Sequence, residues 1–197
     1  MYAASVVRVP LRERPRDWFF VVVFAIFASA SFLMDSVQLV SRPDPHSKYF
    51  IARFVYNTYG ATVDPIVTAT PRFLQITGGG VSALLFGACY FALSYAFARG
   101  REWIRLPAVF FAGMIVMGMG VYLSVGVFGD APLFRIACGD AYTGFDDKFL
   151  NVPAGLSVNL LHPLVALLLV ARMWREHPFT RRERRQDGPR ACAIVQL

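Results

Sequence analysis

Four apolar stretches, residues 18–40, 73–97, 104–128 and 150–173, constrain this chain more than any other feature. The hydrocarbon core of a bilayer is about 30 Å thick and takes roughly 20 helical residues to cross, so each stretch is long enough to span it. Inside that solvent every backbone N–H and C=O must be paired within the segment, which leaves the helix as the structure for runs of this length. Only 17% of the residues are charged, against about 25% in soluble domains. The sequence therefore predicts an all-α integral membrane protein. It reads as a four-helix bundle over residues 18–173, between a basic segment at 1–17 and a basic tail at 174–197. The first stretch is longer than the roughly 7–15 residues of a signal peptide's apolar region and lacks a clear cleavage site, so it reads as a permanent span.

The net charge of +7 is distributed with the same logic. Arg8, Arg12, Arg14 and Arg16 precede the first stretch, Arg99, Arg101 and Arg105 lie between the second and third, and Arg172, Arg175, Arg181, Arg182, Arg184 and Arg185 follow the fourth. The loops after the first and third stretches are mixed or acidic, the latter carrying Asp130, Asp140, Asp146 and Asp147. By the positive-inside rule both termini face the cytosol, which an even number of spans permits. Because the arginines mark span ends, nucleic acid is not indicated as a partner. Cys89, Cys138 and Cys192 have no metal-like spacing, and the acidic loop lacks the EF-hand pattern, so neither a metal nor another cofactor is expected. Cys192 is too far from the end for a prenylation signal.

Against this background the polar residues inside the apolar stretches are the candidates for function. Asp35 lies in the first, flanked by Met34 and Ser36. An ionisable side chain there costs about 2.5–3.5 kcal/mol on insertion scales and is kept where it faces a cavity or a partner. Its expected companion is Asp64, followed by Pro65 in a way that suits a helix start. Between them, residues 49–59 hold Phe50, Arg53, Phe54 and Asn57 and read as a short amphipathic helix in the interface. The second stretch carries Gln75, Thr77 and Ser82, and its Gly78, Gly79, Gly80 and Gly87 read as a helix contact rather than a phosphate loop, since no Lys-Ser/Thr follows. Met114, Met117 and Met119 read as adaptable packing. In the fourth stretch Asn159 and His162 are three positions apart and share a helix face, with Pro163 next.

The order of these features resembles the EXPERA family of membrane proteins. The residues that carry the resemblance are Met34-Asp35, Asp64-Pro65, Pro71-Arg72-Phe73, Tyr95-Ala96-Phe97 with Gly100, and Trp103-Ile104-Arg105 with Pro107-Ala108. The resemblance covers residues 16–179 without large gaps, and the block from Tyr95 to Ala108 is its most specific part. It implies residence in the endoplasmic reticulum membrane as a multi-pass protein of lipid or sterol homeostasis. The sigma-2 receptor branch uses two aspartates, here Asp35 and Asp64, to line an intramembrane pocket for sterols or cationic amphiphiles, with Asn159 at a polar position of the last span. Two positions depart from that branch. Its second-span glutamate and glutamine fall on Ser82 and Phe86, which makes this pocket less acidic and drier on that side.

The expected function is accordingly a pocket for a sterol or amphiphilic small molecule in contact with membrane lipid, lined by Asp35, Asp64, Ser82, Asn159 and His162. A homodimer is left open. The alternative, which the sterol-isomerase branch of the same family implies, is an isomerase or cyclase for sterols or terpenoids. Proton transfer to and from an alkene needs an acid and a base on opposite sides of the substrate. With no glutamate in any apolar stretch, Asp35, Asp64 and His162 are the candidates for those roles.

Overall fold

Pro15, whose fixed φ suits a first helical turn, opens the first span. The span runs as an α-helix over Pro15–Ala30, widens into a π-helix over Ser31–Asp35, and ends as the short helix Val37–Val40. The computed structural model describes residues 5–41, 43–68, 76–129 and 148–183. Among them it is mostly helical, with four helices long and apolar enough to cross a membrane: Pro15–Val40, Gly79–Arg99, Glu102–Phe128 and Val152–Met173. The expected start of the second span at residue 73 lies outside the described residues, as do Gln75, Asp130, Asp140, Asp146, Asp147, Arg184 and Arg185.

The second span is a π-helix over Ile76–Phe86 and an α-helix over Gly87–Arg99. Its end is set by Gly100, the one described residue with positive φ (60°). The amide of Arg101 reaches back to the carbonyl of Ala96 at 2.9 Å, closing a Schellman turn that only glycine enters without strain. The third span follows at once as Arg105–Phe128. The fourth is divided into Val152–Asn159 and Leu161–Met173. Pro163 has no N–H to return to the carbonyl of Asn159, which is where the first of these helices stops. The short interfacial helix is present as Phe50–Val55, with Phe50 and Phe54 exposed and their rings 6.2 Å apart.

Packing divides the bundle into two unlike halves. In the half beside the termini, Phe20, Phe24 and Phe27 of the first span meet Tyr90, Leu93 and Phe97 of the second, Phe111 and Ile115 of the third, and Val165, Leu169 and Met173 of the fourth. Ala96, Ala108 and Ala112 are fully buried there, small residues that let helix backbones approach closely. The outer faces are apolar as well: Phe91, Phe110, Met117 and Leu164 are all exposed. Contiguous surface of that kind belongs against lipid. Of the three methionines, Met119 packs on the core, whereas Met117 points outward at 74% exposure.

The two ends of the described chain meet. Ser5–Arg8 and Thr180–Glu183 pair as antiparallel strands, Ser5 opposite Glu183, so the first and last described segments lie at the same end of the bundle. This pair is the departure from an all-α reading, and Pro10 keeps the N-terminal segment extended before the first span. Beneath the strands, Asp17 is fully buried between two arginines, accepting from Arg14 and from Arg172 Nε and Nη2 at 2.7 and 3.0 Å. Both guanidinium groups also lie over the buried ring of Phe179, at 4.9 and 5.3 Å from its centroid. At the opposite end Phe149 fills the gap between Gly126 of the third span and Gly155 of the fourth, where a Cβ on either glycine would run into its ring.

Candidate functional site

The polar candidates gather in the half of the bundle away from the termini, and the backbone is unusual at that level. The π-helical segments of the first and second spans pack on one another. Their close approach depends on Gly79: a Cβ there would lie 2.8 Å from Gln38 Cβ and 3.0 Å from the carbonyl oxygen of Asp35. Three positions on, the Ser82 hydroxyl donates to Asp35 Oδ2. The buried Ser31, one turn before Asp35, lies beside the same carboxyl. Asp35 is half-buried, so the residue is held by Ser82 without being sealed. Wide helical turns are rare and recur at functional sites, because they shift side chains out of α-helical register.

Asp64 is in a different situation. It is fully buried, and Tyr122 of the third span donates a hydrogen bond to its Oδ2. The Tyr59 hydroxyl lies beside the same carboxyl and accepts from Asn159 Nδ2 at 2.7 Å. Asn159 also returns a bond to the carbonyl of Gly155 at 2.8 Å. The bonds Asn159–Tyr59 and Tyr122–Asp64 thus tie the segment from Tyr59 to Asp64 to the fourth and third spans. Burial, then the charge of Asp64, push the Tyr59 phenol well above its ordinary pKa. It therefore keeps its proton and remains a donor. Leu150 N donates to Val63 O at 2.9 Å, which pins the loop beside Asp64 to the start of the fourth span.

His162 does not join this group. Its Nδ1 and the Tyr90 hydroxyl are 3.1 Å apart, one hydrogen bond, and its ring stacks on Phe27 at 4.2 Å. Asn159 and His162, expected on one face, are separated by the helix break and serve different partners: Asn159 the Tyr59 hydroxyl, His162 the aromatic core. An apolar cavity of about 360 Å³ lies between the end of the first span and the interfacial helix, bordered by Phe32, Ser36, Val37, Tyr49 and Phe50. Ser36 adjoins Asp35 in sequence, but the Asp35 side chain is not part of this cavity's lining. Among the described residues no group of three or more His, Cys, Asp or Glu is arranged to hold a metal ion.

Sequence reasoning missed Tyr59, Tyr122, Ser31 and Tyr90 as members of these networks. The signal for Tyr122 was available, since a phenol hydroxyl at membrane depth must find a partner. Nothing in the sequence marked that partner as a carboxyl fifty-eight positions earlier. Comparison with protein-family models, with curated proteins and with solved structures gives no match to this chain.

Proposed function

We propose that this chain is a multi-pass membrane protein of the EXPERA type that holds a sterol-like or cationic amphiphilic ligand within the bilayer, in the service of lipid or sterol homeostasis in the endoplasmic reticulum. The observation that supports the reading is the contrast between its two acids. Asp64 is sealed and already paired by the Tyr122 hydroxyl, with Tyr59 beside it, which suits a group that fixes the site's shape. Asp35 is partly open in a π-helical turn, steadied by Ser82, which suits a group that meets a ligand. In a low-dielectric setting a carboxylate attracts an ammonium far more strongly than in water, and such charge-assisted hydrogen bonds are short and strong. The apolar body of the ligand would lie against lipid-facing aromatic and aliphatic side chains, as in most small-molecule sites.

Mass spectrometry of the protein purified in mild detergent, followed by competition with amine amphiphiles and neutral sterols, tests the reading. A retained sterol or amphiphile that these compounds displace supports it, and protein that binds neither class counts against it. The enzymatic alternative is separated by incubating the membrane-embedded protein with sterol and terpene alkenes in deuterated water. Deuterium in a rearranged product would establish an isomerase.

A further inference from the structure

A second cavity, of about 710 Å³, opens at the terminal end between the first and fourth spans. It is unrelated to Asp35 and Asp64. Its walls combine charge and grease in an ordered way: Arg16 and Phe19 lie three positions apart on the first span, Leu168 and Arg172 lie four apart on the fourth, and Arg175 follows just past that helix's end at Met173. Arg14 closes the inner side.

The charges do not cancel. Asp17 is shared by Arg14 and Arg172, which leaves one positive charge over in that trio. Glu13, at the rim, lies 3.8 Å from Arg12. Arg16 and Arg175 are exposed and make no ion pair among the described residues. Two tryptophans, Trp18 and Trp174, are 52% and 79% exposed next to these lining residues in the chain. Exposed tryptophan at a span end marks the headgroup level of a bilayer. Below that level Phe19, Leu164 and Leu168 continue as exposed apolar surface down the spans.

We propose that this cavity binds an anionic glycerophospholipid, its phosphate against Arg16 and Arg175 and its acyl chains along Phe19 and Leu168. Guanidinium groups match phosphate oxygens with paired donors, and basic pockets between membrane helices recognise lipid headgroups by this chemistry. A soluble phosphate would use the arginines and leave the apolar wall idle. The buried Asp17 network then has a consequence for binding: it holds Arg172 and Arg14 in place, so the pocket keeps its form when the outer arginines engage a headgroup.

The test uses the full chain in detergent, with short-chain phosphatidylserine as the probe and native mass spectrometry and thermal midpoint as the readouts. Arg16→Ala/Arg175→Ala should weaken phosphatidylserine binding about thirtyfold, roughly fivefold per arginine. Arg12→Ala/Arg99→Ala, which removes the same charge elsewhere at the same end, should leave it near the wild-type value. An equal loss in both double variants would assign the binding to overall charge and overturn the site. Inorganic phosphate should neither raise the midpoint nor displace the lipid, and short-chain phosphatidylcholine should bind far more weakly. If phosphate competes at comparable concentration, or phosphatidylcholine binds equally well, the anionic-lipid assignment fails.

Discussion

Two aspartates of the same chemistry are given different work by their surroundings. Asp35 keeps part of its surface open and has two serine hydroxyls beside it, whereas Asp64 is closed off by tyrosines. Asp35→Asn should preserve the fold, since the amide is nearly isosteric and still accepts from Ser82. It should weaken amine ligands about ten- to a hundredfold, the equivalent of roughly 1.5–3 kcal/mol for a hydrogen bond to a charged group, and spare neutral sterols. Equal loss for both ligand classes would remove the carboxylate from recognition. Tyr122→Phe acts on the other acid. It takes one donor from a fully buried carboxyl, a loss of about 1–3 kcal/mol in stability, to be read as a lower unfolding midpoint with the preference between amine and neutral ligands retained. A variant as stable as the parent would show that the Tyr122 hydroxyl carries none of the burden of burying Asp64.

At the scale of elements, the decisive contact is between the π-helical parts of the first two spans. Glycine in a helix interior ordinarily gains about 0.5–1 kcal/mol when replaced by alanine. Gly79 should behave in the opposite way, because its Cβ would meet Gln38 Cβ at 2.8 Å and the Asp35 carbonyl oxygen at 3.0 Å. Overpacking of this kind costs about 1–3 kcal/mol. Gly118, with nothing within 4 Å of its would-be Cβ, is the internal comparison. Gly79→Ala should lower the thermal midpoint in detergent and Gly118→Ala should hold or raise it. The same direction in both would place Gly79 on a lipid face. The glycines looked alike in the sequence, and only packing sorts them: Gly79 seats the first span, Gly126 and Gly155 seat Phe149, and Gly113, Gly118 and Gly120 face open space.

For the whole molecule, the strand pair puts residues 5–8 and 180–183 at one end, and the Asp17 network fastens that end with Arg14, Arg172 and Phe179. Which side of the membrane that end faces follows from the arginine count rather than from the fold. A glycosylation acceptor engineered beside Asp44 should be modified in cells, and one placed within residues 99–105 should not. Modification of the second site alone would invert the topology and put the basic cavity on the lumenal side. The halves of the bundle are also unlike in kind. The terminal half centres on an aromatic core capped by the Asp17 network, and the far half holds the hydrogen-bonded groups around Asp35 and Asp64.

Length, hydropathy and charge by themselves indicated that there are four spans, that the connection around Gly100 is short and basic, and that Asp35 is out of place in its surroundings. Those are local properties: a bilayer requires a continuous apolar run, and a charge inside one stands out whatever lies opposite. The same local reading placed Asn159 and His162 on a common face and gave them a common role. Spacing along a helix says nothing of a break at Leu160 or of the partner across the bundle, and His162 went to Tyr90 and Phe27 while Asn159 went to Tyr59. Only the tertiary structure decided that Asp64 is closed by Tyr59 and Tyr122, that the spans widen where they meet at Asp35, and that Arg14 and Arg172 converge on one buried aspartate. Each of these depends on which residues from distant parts of the chain arrive at the same depth in the membrane, and that is fixed by helix packing rather than by sequence neighbours.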